Sequence, residues 1–255
     1  MNSKFFPLFL TSILIQANSE RQPRIWAGKE AQRGQFPYQV LLIVDPIYCG
    51  AAVLNENYVI TAAHCVKGKP IKNIFLYFDV LQFSDANSNS TLRKVIDVKI
   101  HEDFTLAEFS NDIALLKLDV PLTFNKFIQP VVLPDPKIDV ANKLLTLSGW
   151  GIYDKSLEGS NFLRYASARA MDKKKCKRSL QKYNISSKRI LCQTSIDFDD
   201  GPSCSGDSGG PVVLNGTSVL VGIVSFGIDC GFGENTSYSM RVSDFMDWIK
   251  KNMKD

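Results

Sequence analysis

A serine, a histidine and an aspartate each sit in a short run that suits them to acyl-transfer chemistry. Ser208 lies in Gly206-Asp207-Ser208-Gly209-Gly210-Pro211, His64 in Thr61-Ala62-Ala63-His64-Cys65, and Asp112 in Asn111-Asp112-Ile113-Ala114-Leu115-Leu116. A serine hydroxyl is a weak nucleophile near neutral pH. It attacks a carbonyl when an adjacent base takes its proton and a third group holds that base in one tautomer. The chain has only 2 histidines, so the base is nearly forced. His101, in Ile100-His101-Glu102-Asp103-Phe104, has no motif around it and is expected to be an exposed strand-end residue. Asp112 alone would suit a surface or a cap. The apolar run after it predicts a buried strand that carries the carboxylate inward. The glycines around Ser208 predict a tight loop that aims backbone N–H groups at a developing oxyanion. The N–H groups of Gly206 and Ser208 are the candidate donors. A glycine-rich loop also suits a plain turn or a phosphate cradle, but no Gly-Lys-Ser/Thr follows here.

The elements that must position these residues read mostly as short β-branched runs between turn residues. They fall at 39–44, 53–62, 74–80, 92–100, 113–118, 144–150, 163–170, 212–214, 219–226 and 238–242. Many short strands at close spacing predict an all-β sandwich or barrel, and the pattern does not choose between them. The tail differs. Val242, Phe245, Met246 and Ile249 recur at helical spacing, and Trp248 widens the apolar face. Acids early and lysines late suit the helix dipole. The expectation is an amphipathic C-terminal helix packed on the strands.

The other end reads as a secretory signal over residues 1–19. Lys4 is followed by an apolar stretch over 5–15 and by Ala17-Asn18-Ser19 as a small-residue cleavage site. The stretch is too short for a membrane span, and no other approaches about 18 apolar residues. A secreted, extracellular chain with no membrane role is expected. A formal charge of +4 argues against nucleic acid as a partner. The basic cluster Lys173-Lys174-Lys175, Lys177 and Arg178 fits a solvated helix face, with an anionic partner site as the sharper alternative. The 6 cysteines of a secreted chain suggest disulfides, whose pairing the sequence leaves open. Asn89, Asn184, Asn215 and Asn235 open Asn-x-Ser/Thr triplets, the acceptor pattern for glycans.

With its runs in the order His, Asp, Ser, the chain resembles the chymotrypsin/trypsin family of serine proteases, from Ile25 to the C-terminus. The resemblance implies two packed six-stranded antiparallel β-barrels with a C-terminal α-helix and the active site in the cleft. His64 and Asp112 would come from the first barrel and Ser208 from the second. It implies disulfides Cys49–Cys65, Cys176–Cys192 and Cys204–Cys230. Leu145 and Leu214 stand where many vertebrate relatives carry a further bridge, so an apolar contact would replace it. Few bridges and a short propeptide hint at an arthropod-like, chymotrypsin-type member. The domain reading is a signal peptide over 1–19, a propeptide over 20–24 and a protease domain over 25–255. A tryptic-type protease would cut after Arg24, and the freed Ile25 ammonium would fold inward to pair with Asp207. The uncut chain would then be a zymogen.

The resemblance also outlines a pocket. Trypsin-like members hold an aspartate at the position of Pro202, and a proline cannot pair with a basic side chain. Pro202 and Ser203 would form the floor and Ser225-Phe226-Gly227 and Ser237 the walls, with Ser237 narrowing the space. Asp200 and Asp229 would supply charge only with shifted loops. The leading reading is therefore a secreted serine endopeptidase cutting after apolar P1 residues. Its alternatives are a trypsin-like protease cutting after Arg or Lys, and a non-catalytic homologue acting as a binding protein. Its partners would be polypeptide substrates, the activating protease and protein protease inhibitors. No metal or cofactor is expected.

Overall fold

The computed structural model describes residues 28–87, 92–152, 159–185, 188–196, 206–227 and 236–253. The first half forms six antiparallel strands: β2 (Gln39–Val44), β3 (Ile47–Val53), β4 (Tyr58–Thr61), β5 (Ile74–Phe78), β6 (Leu92–Ile100) and β7 (Ala114–Leu118). They close into a barrel in the order β2-β3-β4-β7-β6-β5. In β5, Ile74, Leu76 and Phe78 are buried and alternate with half-buried Phe75 and Tyr77. That period of two is what a strand with one core face requires. Strand β2 is buried at nearly every position, because both of its faces are covered.

The second half repeats the plan with β8 (Leu144–Gly149), β9 (Arg164–Ala170), β10 (Ile190–Ser195), β11 (Pro211–Leu214), β12 (Leu220–Gly227) and β13 (Thr236–Arg241). These run β9-β10-β13-β12-β11-β8, and a β8–β9 pairing closes the ring. The short β1 (Lys29–Glu30) adds to the outer edge of β9. Closure pairs most of the strand edges of each barrel, which limits edge-to-edge aggregation. Inside the second barrel lie Leu145, Leu147, Ala168, Leu191, Val212 and Val224. Leu145 pairs directly with Leu214 across β8 and β11, so an apolar contact stands at that position.

Among the described residues, three α-helices flank the barrels. Helix α1 (Ala63–Val66) is a single turn that carries His64 and Cys65. Helix α2 (Lys173–Gln181) is capped by Asp172, whose side chain accepts from the Lys175 N–H. Helix α3 (Met246–Asn252) follows a 3₁₀ turn over Val242–Phe245, so the helical pattern of the tail begins as the tighter form.

Disulfides Cys49–Cys65 and Cys176–Cys192 are formed, while Cys204 and Cys230 lie outside the described residues. Each closes a loop of 16 residues in sequence separation. Such a closure stabilises by about 3 kcal/mol in the chain-entropy account.

His101 corrects its sequence reading, being only 5% exposed. It stacks on Trp248 and meets Phe245 edge-on, and Trp248 Nε1 donates to Glu102 at 2.8 Å. The C-terminal helix of the second barrel is thus pinned to the first barrel, just upstream of Asp112. No helix among the described residues is long and apolar enough to cross a membrane.

Candidate active site

The candidate base sits on a turn that a disulfide ties down. His64 sits on α1, and the disulfide of its neighbour Cys65 ties that turn to β3. Its backbone N–H donates to Asp112 Oδ1 at 2.8 Å, and its ring Nδ1 lies 2.7 Å from Asp112 Oδ2. Asp112 is fully buried, carried inward by the strand that follows it. An ionised carboxylate only accepts hydrogen bonds, so Nδ1 carries the hydrogen. Nε2 is left as the basic nitrogen.

Asp112 has a third donor that the sequence did not reveal. Ser225 Oγ donates to Oδ2 at 2.5 Å. Ser225 falls in a register shift of β12, between Val224 and Phe226. A bulge frees one residue from the ladder and re-aims its side chain. The sequence reading gives Ser225 as a pocket wall and as a partner of the substrate backbone. Ser225 also fixes the carboxylate from the opposite barrel.

The nucleophile loop is packed backbone against backbone on the first barrel. Gly50 N–H donates to the Ser208 carbonyl at 2.8 Å. A Cβ on Gly209 would lie 2.1 Å from Thr61 Oγ1 and 2.4 Å from the Gly50 carbonyl oxygen, and its φ of +79° is left-handed. Only glycine fits there. Cys65 Sγ touches both sides of the cleft, 3.7 Å from His64 Nε2 and 3.7 Å from the Ser208 carbonyl oxygen. The Cys65 sulfur therefore touches the ring of His64 and the backbone of Ser208 at once.

Next comes the oxyanion position. Gly209 N–H donates to the Val224 carbonyl and Gly210 N–H to the Asp207 carbonyl, at 2.7 and 2.9 Å. Among the described residues, the N–H groups of Gly206 and Ser208 have no acceptor. Gly206 holds φ at +99°, open to glycine and closed to most side chains. The ring of Tyr48 backs it, since a Cβ there would meet Tyr48 Cε2 at 2.7 Å.

The Asp207 side chain points away from the cleft. Oδ1 accepts from Gly151 N–H at 2.9 Å, and a Cβ on Gly149 would meet that same oxygen. The Gly149-Trp150-Gly151 turn is thus moulded around a carboxylate. Burial, and then the charge of Asp207, push the Tyr48 phenol above its ordinary range. Arg24 and Ile25 lie outside the described residues.

Part of the pocket is visible. Phe226 stacks on Tyr238 at 4.7 Å and meets the tilted ring of Phe109 at 4.6 Å. Phe109 has no motif around it, and only the fold could bring it here. Strand β11 pairs with β12 no further than Ile223, so the edge of Ser225-Phe226-Gly227 is uncovered among the described residues.

Ser237 is corrected. It shares its face with Ser239, whose Cβ would crowd a Cβ on Gly222 inside the second barrel alongside Leu191 and Val212. Phe226 and Tyr238 occupy the opposite face. Thr236, not Ser237, is the β13 side chain on the pocket side. Pro202 and Ser203 lie outside the described residues, as do Asn89 and Asn235. Asn184 and Asn215 are exposed, with Asn215 accepting from Thr146 Oγ1 at 2.9 Å.

Cys49, His64 and Cys65 approach one another within 4.8 Å, as metal ligands do. Both sulfurs are bonded to each other, so no thiolate is present to hold a metal.

The family model described as Trypsin matches residues 25–249. Coagulation factor IX of Oryctolagus cuniculus is 34% identical over 242 residues, which cover 91% of this chain and 85% of that protein. Serine protease SP24D of Anopheles gambiae is 35% identical over 233 residues, covering 91% of this chain and 82% of that protein.

Proposed function

The chain belongs to the trypsin family of serine endopeptidases, and on that premise we propose a secreted enzyme, made as a zymogen, that cuts polypeptides through an acyl-enzyme on Ser208. Ser208 Oγ attacks the scissile carbonyl while His64 Nε2 takes its proton. Asp112 keeps the Nδ1 hydrogen in place and stabilises the imidazolium. The N–H groups of Gly206 and Ser208 hold the oxyanion. His64 then protonates the leaving amine, and water activated by the same base releases the acyl group. The carrying observation is that pair of acceptor-free N–H groups, on a loop locked against the turn that holds the base. Substrate backbone adds as a strand along Ser225-Phe226-Gly227. Secretion rests on residues 1–19. Activation rests on 20–24, on Arg24 and Ile25, and on the resemblance, which pairs the freed Ile25 ammonium with Asp207.

An organophosphate tests the mechanism. After cleavage at Arg24, mass spectrometry should find the adduct on Ser208. An activated chain that takes no label would instead be a non-catalytic homologue.

Two P1 readings remain distinct. Pro202 removes the carboxylate that would hold a basic side chain, and burying an unpaired Lys or Arg is costly. That favours Phe, Tyr or Leu, and Thr236 on the pocket side favours smaller residues. The match to the trypsin model and to these relatives favours the second reading, cleavage after Arg or Lys, over the first. The measurement is kcat/KM on matched peptides that differ only at P1. Faster cleavage after Arg would retire the apolar reading and direct attention to Asp200 and Asp229.

A further inference from the structure

The basic cluster is not absorbed by the peptidase chemistry. Helix α2 buries Cys176, Ser179 and Leu180, and Cys176–Cys192 ties it to β10. Beside it opens a groove of about 680 Å³, between α2, the start of β10 and the turn after β13. Leu180, Ile185 and Ile190 form its base, and Lys173, Lys177 and Lys188 stand around it. Among the described residues, none of these lysines has an acidic partner. Their stems add apolar surface while their ammonium groups stay in water. The acid lining the groove is Asp244, which already faces Arg241 at 3.8 Å. Arg241 is itself fixed, donating from Nη2 to the Ile190 carbonyl at 2.8 Å.

We propose that this groove docks an acidic peptide segment of a partner protein, one that places a large apolar side chain between flanking carboxylates. The cations ask for anions, and the concave base asks for an apolar group. A sulfated polysaccharide chain supplies the first and not the second. The volume lies within the range of pockets that enclose a ligand side chain. The helix that lines the groove also packs on β13. Ser179 on α2 bonds the Tyr238 hydroxyl at 2.8 Å, and Tyr238 stacks on Phe226.

The test is calorimetry on the full secreted protein with acetylated Glu-Glu-Phe-Glu-Glu. Matched Glu-Glu-Ser-Glu-Glu and a heparin hexasaccharide serve as competitors. The Phe peptide should bind with a Kd on the order of 10–100 μM, weakening with added salt. Losing the phenyl ring should cost about tenfold or more. Lys177→Glu with Lys188→Glu should cost at least as much, with far-UV circular dichroism unchanged. Equal binding of the Ser peptide would overturn the proposal, as would heparin outcompeting the Phe peptide. So would indifference to the charge reversals. Asn184 lines the same groove and opens a glycan triplet. Binding that appeared only in Asn184→Gln would make the groove a bed for that glycan and refute the peptide site.

Discussion

Replacing Asp112 with asparagine should cost this enzyme about 10⁴ in kcat, the loss seen for that exchange in the serine-protease template. The geometry gives the reason. Both carboxylate oxygens accept hydrogen bonds: Oδ1 from the His64 backbone, Oδ2 from His64 Nδ1 and Ser225 Oγ. An asparagine must put its NH₂ on one side. On the Oδ1 side it would face a backbone N–H, which cannot become an acceptor. On the Oδ2 side it faces an imidazole that can change tautomer and a hydroxyl that can rotate. The NH₂ therefore goes to the Oδ2 side and donates to Nδ1. The ring hydrogen moves to Nε2, the nitrogen that must accept the Ser208 proton. A factor of 10⁴ is about 5 kcal/mol of transition-state stabilisation. The assay is kcat and KM on a chromogenic peptide with the activated protein, together with a melting curve. KM and Tm should stay close to the parent values, since shape and neighbours are kept. A kcat within about tenfold of the parent would refute the tautomer argument and the role given to Asp112.

Ser208→Ala should abolish peptide hydrolysis and leave secretion and folding intact, because the half-exposed hydroxyl does chemistry and little packing; near-normal turnover would remove it as nucleophile. Arg24→Gln should yield a secreted, inactive chain, since Ile25 would stay blocked from Asp207; full activity of the uncut protein would end the zymogen argument. His101 should make folding sensitive to mild acid. Burial first, and then Arg189, lower its pKa from the ordinary 6.5, with Glu102 and Asp103 opposing. The unfolded chain binds the proton more readily, so stability falls as pH drops through that ordinary value and levels off below the depressed one. Urea midpoints measured across this window should slope downward in the parent, and the slope should flatten in His101→Phe; an unchanged slope would place the sensitivity elsewhere.

The strands were legible because their signal is local. The runs at 39–44 and 92–100 coincide with β2 and β6 to the residue. The local setting of Ser208, His64 and Asp112 was legible too, since each stands in a run that predicts its backbone. What escaped the sequence depends on register and on distant neighbours. Ser237 was assigned to the pocket, yet a shift of one residue along a strand reverses the face, and the ladder turns it into the barrel. His101 looked exposed because the rings that cover it come from the far end of the chain. Phe109 is held over Phe226 by a left-handed backbone at φ 47° that no local pattern announced.

The same distinction explains why the catalytic groups hold their places. None is set by its own element alone. His64 rides on one short turn, and that turn is fastened by a disulfide to β3. Strand β3 in turn supplies Gly50, whose N–H grips the carbonyl of Ser208. Asp112 comes from the first barrel, yet a bulge in the second sends Ser225 across to bind it. The two barrels therefore meet through the candidate catalytic residues themselves. An added Cβ at Gly209 would strike Thr61 and Gly50, pushing the barrels apart where base and nucleophile must touch. The small residues around the nucleophile serve this close approach as much as the oxyanion.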